Sequence, residues 1–183
     1  MVSDAVAGEG LIVVSLLRPG WEQDYEGSPP FHEVGTLGRI ENLERLPDGR
    51  FNLRLVGLQR VVVGDAVRER PYRLVRLTSL KETCVDESDP RVRAAKLDLL
   101  ASHGCLLREL LDGEGCGIVL DDRIPFETAV NGACANLPVD PTLRQALLEE
   151  NDLRERHRRA AAMLDNVLQR VMRLKMHDDE RVN

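Results

Sequence analysis

The chain has 183 residues, of which 43% are hydrophobic, 31% are charged and only 3% are aromatic. A chain of this length can bury a sizeable core, and with so few aromatic residues that core must be built from Leu, Val, Ile and Ala. The net charge of −6 argues against sequence-independent binding to a phosphate backbone and gives no support for attraction to a membrane surface.

The cysteines and the start of the chain bear on its compartment. Cys84, Cys105, Cys116 and Cys134 are far apart in the sequence and form no C-x-x-C pair, a spacing typical of reduced thiols. The sequence begins without the pattern of a secretory signal peptide, and its first strongly apolar run, Gly10 to Leu17, is far too short to span a bilayer. These features predict a cytoplasmic protein.

The first elements of the chain are a short helix and a strand. Residues 1–8 have the pattern of a helix end that stops at Gly8 or Gly10. The run from Leu11 to Leu17 is continuously aliphatic and is bounded by Gly10 and Pro19. Such a run predicts a central strand that is covered on both faces.

The segment between Arg18 and His32, RPGWEQDYEGSPPFH, combines three prolines and two glycines with half of the six aromatic residues of the chain. This composition predicts a loop, and loops on rigid scaffolds often carry binding residues. Trp21, Tyr25 and Phe31 are therefore the candidate binding residues. The alternative is that these rings only fold down over the mouth of a barrel.

A β-hairpin follows, with its turn at Leu46 to Arg50. Pro, Asp and Gly in this turn favour reversal of the chain. Beyond the turn, Phe51, Leu53 and Leu55 alternate with polar residues, which predicts a half-buried strand. Before the turn the alternation slips, and a β-bulge at Glu41 to Leu43 would explain the slip.

Two more strands are predicted before the pattern changes. Val56 to Gly64 is predicted to be a strand with a kink at Gly57, and Tyr72 to Leu80 is predicted to be the last strand. The predicted strands therefore number about five.

From Asp89 onward, Leu, Ala, Glu and Arg recur at helical spacing, and about four helices are predicted. The first is capped by Ser88 or Asp89, accepts Pro90 in its first turn and runs through Leu111. Asp112 to Asp122 follows as a glycine-rich loop.

The remaining helices have clear starts. Pro125 opens the second, whose single apolar stripe comprises Phe126, Ala129, Val130, Ala133, Cys134 and Leu137. The third spans Thr142 to Glu149, and the fourth is capped by Asn151 or Asp152. The residues of the fourth helix that are expected to face inward are Leu153, Ala160, Leu164, Val167, Val171 and Leu174.

Strands followed by helices along the chain predict an α+β fold. The expected domains are a β domain at residues 1–88, a helical bundle at residues 89–176 and a flexible tail at residues 177–183.

No pattern of residues indicates a reaction. The histidines lie in different predicted elements, and none has a marked partner; they are His32, His103, His157 and His177. Motifs such as G-x-S-x-G, H-E-x-x-H and the phosphate-binding glycine loops are absent from the sequence. The chain is therefore predicted not to be an enzyme and to have no catalytic residue and no cofactor.

Two groups of charged residues are candidate binding sites. Asp121 and Asp122 beside Glu127 lack the alternating oxygen ligands of a calcium loop, so no metal site is predicted there. The arginines of the predicted strands would suit an RNA groove, but acidic residues between them favour a solvated face. These arginines are Arg39, Arg45, Arg50, Arg54 and Arg60.

Several stretches resemble a known family. EVGTLGRI, LPDGRFNLRLVGLQR, PYRLVRL and NLPVDPTLRQALLEENDLRERHRRAAAML are similar, in order and spacing, to the N-terminal substrate-binding domain of the Lon protease, over roughly residues 1–174. The resemblance implies a PUA-like β-barrel, or a partly open β-sheet domain, followed by a C-terminal helical bundle. It also implies a noncatalytic polypeptide- or protein-binding module, because the ATPase and the Ser-Lys peptidase of the full protease have no counterpart here.

The chain departs from the family pattern at its start. In the family, a strand-bearing segment and a helix precede the equivalent of Leu11, and Met1 to Ala5 resembles the end of that helix. The first barrel strands are therefore expected to be absent, which would leave an unpaired edge or an exposed apolar groove. A misassigned or truncated start would account for this departure.

The resemblance also implies the partners. Unfolded or exposed-segment polypeptides are expected to bind, with a separate protease as a further candidate partner, and the oligomeric state is left open. An RNA-binding PUA-like domain is the alternative function, against which the acidic charge balance argues. A small-molecule enzyme has no support from any residue.

Overall fold

A computed structural model describes residues 1–68, 71–110 and 123–182 of the chain. The chain divides into two compact units, Met1–Lys81 and Glu82–Asn183. The strands all lie in the first unit and the long helices in the second. The predicted α+β fold is therefore confirmed.

The first unit, called the β unit below, is built on a four-stranded antiparallel sheet in the order β1-β2-β3-β4. Its strands are β1 (Leu11–Val14), β2 (Val34–Arg45), β3 (Phe51–Arg68) and β4 (Leu74–Ser79), and a short helix, α1 (Val2–Ala7), precedes them. In the described residues the sheet is open, with β1 and β4 as its edges. This corresponds to the partly open sheet rather than to a closed barrel.

The prediction of a central strand over Leu11 to Leu17 is wrong in length and in position. The regular strand stops at Val14, which is exposed, and β1 pairs only with β2 among the described strands. Beyond it a looser pairing continues, with a bridge between Leu17 and Phe31. A continuous apolar run shows no alternation of polar and apolar residues. The sequence pattern therefore does not distinguish an edge strand from a central strand here.

The hairpin is confirmed at its turn. The backbone N–H of Leu46 donates to the Arg50 carbonyl at 2.8 Å, and Gly49 takes a positive φ of 87° that few other residues tolerate. The Asp48 carboxylate accepts from the Arg50 backbone N–H at 3.0 Å, which stabilises the reversed chain.

The irregular pairing of the hairpin is also confirmed. The register of β2 against β3 shifts between Glu41 and Glu44, and Asn42 there has a φ of 51°. A second shift opposite Gly57 leaves Leu58 as the extra residue of β3. Because β3 continues through this kink, the two strands predicted after the turn are one, and the described sheet has four strands instead of five.

Few apolar side chains of the β unit are fully buried. Among its described residues, only Val61 and Val63 belong to the buried hydrophobic core. Several large apolar side chains are exposed instead; they include Val14, Tyr25, Leu43, Leu58, Leu74 and Leu77. Exposed apolar side chains therefore occur on all four strands of the β unit and in the segment between β1 and β2.

The second unit, called the helical unit below, contains α2 (Pro90–Leu110), α3 (Phe126–Asn136), α4 (Pro141–Glu149) and α5 (Leu153–Val182). Asp89, Asp140 and Asp152 cap their helices by accepting hydrogen bonds from backbone N–H groups at 2.8 to 2.9 Å. In both predicted pairs of caps, Ser88 or Asp89 and Asn151 or Asp152, the aspartate is the residue that caps the helix.

The apolar stripe predicted for α3 forms part of one core. Phe126, Val130 and Leu137 are almost completely buried, and Cys134 packs against them as a partly buried residue. On α5 the prediction fails at Leu174, which is 66% exposed, since the core contacts of that helix end at Val171. Helical periodicity defines a face but not where the neighbouring helices end.

The helical unit begins before its first helix. The backbone N–H of Thr83 donates to the Asn151 carbonyl at 3.2 Å, and Val85 packs against the core. The unit therefore starts at Glu82, whereas the sequence places the domain division after residue 88. At the other end, the backbone of α5 is helical up to Val182, within the predicted tail.

Candidate functional site

The segment from Arg18 to Glu33, called the aromatic loop below, leaves the sheet after β1 and returns to it before β2. Its two ends are held together by backbone hydrogen bonds from Arg18 to the Pro30 carbonyl at 2.9 Å and from His32 to the Leu16 carbonyl at 2.8 Å. The loop is thus anchored at its base to a strand pair, as the sequence predicts for a loop on a scaffold.

One turn of 3-10 helix, Trp21–Asp24, brings two of the candidate residues together. Gly20 precedes it with a φ of 88°, a backbone conformation that favours glycine. The ring centroids of Trp21 and Tyr25 lie 5.5 Å apart with an interplanar angle of 60°, a favourable tilted arrangement. Trp21 is partly exposed and Tyr25 is 64% exposed, so the ring pair faces solvent.

Asp24 closes the tip of the loop. Its carboxylate accepts from the Ser28 backbone N–H at 3.0 Å, and its carbonyl accepts from the Gly27 N–H at 2.9 Å. A Cβ atom at Gly27 would collide with the Asp24 carboxylate, so a side chain there would displace that carboxylate from its present position. The loop tip is therefore ordered by its own residues.

Arg73, which lies just before β4, fixes the second half of the loop. Its guanidinium donates to the Pro29 carbonyl at 3.0 Å from both terminal nitrogens and to Ser28 Oγ at 2.7 Å. The same group lies 5.1 Å from the centre of the Phe31 ring, within the range of a cation–π contact.

The three predicted site residues therefore fall into two groups. Trp21 and Tyr25 form a ring pair in which Tyr25 is the exposed member, whereas Phe31 lies beside Arg73; Trp21 and Phe31 are both partly exposed. Sequence reasoning missed Arg73, because 44 residues separate it from Pro29 and no local pattern links them.

The arginines of the strands do not share one open basic face. Arg60 is buried, and the Arg50 guanidinium lies 2.7 Å from the Asp48 carboxylate. Glu44, between Arg39 and Arg45 in sequence, accepts from the Asn52 amide at 3.2 Å. In the strand register Glu41 lies opposite Arg54, so acidic and basic residues are interleaved on these strands.

The histidines have no arrangement typical of acid–base catalysis. His157 Nε2 lies 3.2 Å from the Ala95 carbonyl, and its ring packs against Phe126. Burial lowers the pKa of His103, whose Nε2 has no hydrogen-bond partner in the described part of the chain. His32 lies at the base of the aromatic loop, and the side chain of His177 is outside the described residues.

Other candidate features carry no chemistry of their own. Cys84, Cys105 and Cys134 are in no disulfide bond, while Cys116 and the Asp121–Asp122 pair lie outside the described residues. Within residues 1–68, 71–110 and 123–182, no group of His, Cys, Asp or Glu side chains is arranged to hold a metal ion. The helices of this part of the chain include none with the length and apolar character needed to cross a membrane.

Comparison with known proteins identifies the family. A profile described as the ATP-dependent protease La (LON) substrate-binding domain matches residues 1–166. The Lon protease of Chloroflexus aurantiacus is 32% identical over 163 residues, which are 86% of this chain and 19% of that protein. The Lon protease of Citrifermentans bemidjiense is 30% identical over 172 residues, covering 92% of this chain and 21% of that protein.

Comparison of structures agrees on the fold. The N-terminal domain of the Mycobacterium avium complex Lon protease matches with a TM-score of 0.58 at 14% sequence identity, over 84% of this chain and 90% of that domain. This chain spans only about a fifth of the curated relatives named above, at 19% and 21% of their lengths. The resemblance drawn from the sequence is confirmed, and the chain belongs to the LON substrate-binding domain family.

Proposed function

We propose that this chain is a noncatalytic polypeptide-binding module, which takes exposed apolar segments of other proteins at the aromatic loop. Its membership of a substrate-binding domain family supports the general function. The solvent-facing pair of Trp21 and Tyr25 is the observation that supports the location.

The chemistry of the ring pair suits this role. Large aromatic side chains dominate the energetics of protein contacts, because they bury much apolar area at a small cost in side-chain entropy. The loop is held in place before any ligand arrives by Asp24, by Gly27 and by the Arg73 guanidinium. Pre-organisation of this kind lowers the entropic cost of binding.

In this proposal Phe31 supports the loop instead of contacting the ligand. Its ring faces Arg73, and its carbonyl accepts from Arg18 Nε at 3.0 Å. No ATPase or peptidase reaction is assigned to the chain. A separate protease is the partner proposed to act on the polypeptides that bind.

The proposal can be tested with the intrinsic fluorescence of the protein, because Trp21 is the one tryptophan of the sequence. Titration with reduced, carboxymethylated ribonuclease A, a permanently unfolded polypeptide that contains no tryptophan, should change the emission of Trp21 in a saturable way. Fluorescence anisotropy of the labelled polypeptide gives an independent affinity that can also be measured in variants without tryptophan.

Variants then locate the site. Tyr25→Ala should weaken binding about tenfold, the size of effect seen when a well-packed interface aromatic is truncated. Leu43→Ala is the matched control, since Leu43 is another exposed apolar residue of the β unit but lies at the β2 bulge. Unchanged affinity in a folded Trp21→Ala/Tyr25→Ala variant would contradict the proposed site. If no unfolded polypeptide binds in a saturable way, the proposed function is wrong.

A further inference from the structure

Resting on the proposed function, we infer that the aromatic loop selects polypeptide segments in which Lys or Arg residues flank aromatic or aliphatic ones. The surface that would contact such a segment is the Trp21–Tyr25 ring pair together with the carboxylates of Glu22 and Glu26.

The charged residues next to the two rings in sequence are all acidic. Glu22, Asp24 and Glu26 alternate with the two aromatic residues, and all three are exposed. Between Pro19 and Phe31 the sequence contains no Lys and no Arg. A ligand that docks on the rings therefore approaches an acidic border.

Arg18 and Arg73, which have contacts to this loop, are engaged by its backbone and by other side chains. The Arg73 guanidinium is engaged by the Pro29 carbonyl, by Ser28 Oγ and by the face of Phe31. Arg18 donates to the Phe31 carbonyl and lies 4.0 Å from Glu33.

The carboxylates differ in how far they are used inside the loop. Asp24 accepts from the Ser28 N–H and so belongs to the turn. In the described part of the chain, Glu22 and Glu26 have neither an ion-pair partner nor a hydrogen-bond partner, and the side chains of both are exposed. They remain available to a ligand.

Together with the ring pair, these carboxylates form a surface that is selective for cationic, apolar segments. Exposed acidic residues alone are ordinary solvated groups, but an aromatic face attracts Lys and Arg through its quadrupole while the same ring buries an apolar neighbour. Tyr25 offers a largely exposed ring and lies next to Glu26 in sequence and three residues after Glu22, at the end of the 3-10 turn. Charge complementarity therefore points to a cationic, apolar segment as the occupant.

The test uses three synthetic peptides with the same length, without Trp, and with the same Leu and Phe positions. The remaining positions carry Lys in one peptide, Gln in the second and Glu in the third. At low salt the Lys peptide should bind about tenfold more tightly than the Glu peptide, with the Gln peptide between them, as expected for a few solvent-exposed charge contacts. The difference should shrink at about 0.5 M NaCl, where such contacts are screened.

A pair of double variants assigns the effect to this loop. Glu22→Gln/Glu26→Gln should abolish the difference between the Lys and Glu peptides, mainly by weakening the binding of the Lys peptide. Glu9→Gln/Glu41→Gln removes the same number of exposed carboxylates from elsewhere in the β unit and should preserve the difference.

The outcomes separate this inference from the proposed function. Equal affinities for the three peptides would overturn the inference and leave the polypeptide-binding function standing. A preference for Lys that survives in Glu22→Gln/Glu26→Gln, or that is lost equally in Glu9→Gln/Glu41→Gln, would also overturn it. If neither the peptides nor unfolded ribonuclease A bind, the proposed function itself fails.

Discussion

The guanidinium of Arg156 lies 3.1 Å from the carboxylate of Glu82, in the helical unit, where only 1% of the Arg156 side chain is exposed. Its other donors are satisfied by the Asn131 side-chain oxygen at 2.6 Å and by the Glu150 carbonyl at 3.0 Å. The pair links the first residue of the helical unit to α5 and so helps to attach the segment ahead of α2 to that unit.

Replacing Arg156 with Met should destabilise the helical unit strongly. The substitution leaves Glu82 and Asn131 without their donor, and breaking a buried ion pair from one side costs about 3–5 kcal/mol. Urea denaturation followed by circular dichroism at 222 nm measures the loss. Arg154→Met is the control and should cost less than about 1 kcal/mol, because Arg154 is exposed and pairs with Asp89 at the surface. Similar losses in the two variants would contradict the structure.

Gly35→Ala should destabilise the β unit. A Cβ atom there would lie 2.6 Å from the Val14 carbonyl oxygen and would collide with Ser15 Oγ, so backbone would have to move. Overpacking of this kind costs about 1–3 kcal/mol. Gly57→Ala, in the partner strand, meets only Thr36 Cγ2 at 3.4 Å and should be tolerated. Denaturation followed by Trp21 fluorescence reports on this unit, and a Gly57→Ala loss as large as that of Gly35→Ala would count against the packing described.

Arg73→Lys should loosen the aromatic loop without unfolding the sheet. An ammonium group keeps the charge, but it lacks the planar fork that donates to Pro29 and Ser28 while it covers Phe31. Faster amide hydrogen exchange at Ser28 and a red shift of Trp21 emission are expected. Arg76→Lys, an exposed arginine of β4, should change neither measurement. Unaltered exchange at Ser28 in Arg73→Lys would show that Arg73 does not hold the loop.

His103 should make the helical unit less stable in mild acid. Burial lowers the pKa of His103 below its ordinary value of 6.5, so the unfolded chain takes up the proton more readily than the folded one. Its contribution to stability is therefore fully present above pH 6.5 and declines as the pH falls through the lower pKa of the folded state. Urea midpoints at a series of pH values should fall less steeply for His103→Leu than for the parent protein. Identical slopes would refute this assignment, and an NMR titration of the His103 ring checks the direction of the shift.

Features set by neighbouring residues were predictable from the sequence. The Asp48–Gly49 turn and the bulge at Asn42 follow from turn chemistry and from a slip in alternation. The caps at Asp89 and Asp152 follow from the preference of helix starts for acidic side chains.

Features set by partners far along the chain were not predictable. Arg156 and Lys96 appear in the sequence as ordinary surface charges of amphipathic helices, yet both are buried. Lys96 is satisfied by the Ile124 carbonyl at 2.9 Å, a contact that only the folded chain creates. In the candidate site, composition pointed to the aromatic loop, but the separation of Phe31 from the ring pair depends on the distant Arg73.

The order of the strands has a consequence for how the β unit folds. Each described strand pairs with the next one along the chain. Because the described sheet has no crossover connection, each pairing can form as soon as the second of its two strands has been synthesised. The short turn between β2 and β3 closes a small loop, and hairpins of this kind form in about 1–10 μs. During synthesis the sheet can therefore assemble strand by strand from the ribosome, with the exposed edge of β4 as the last surface to appear.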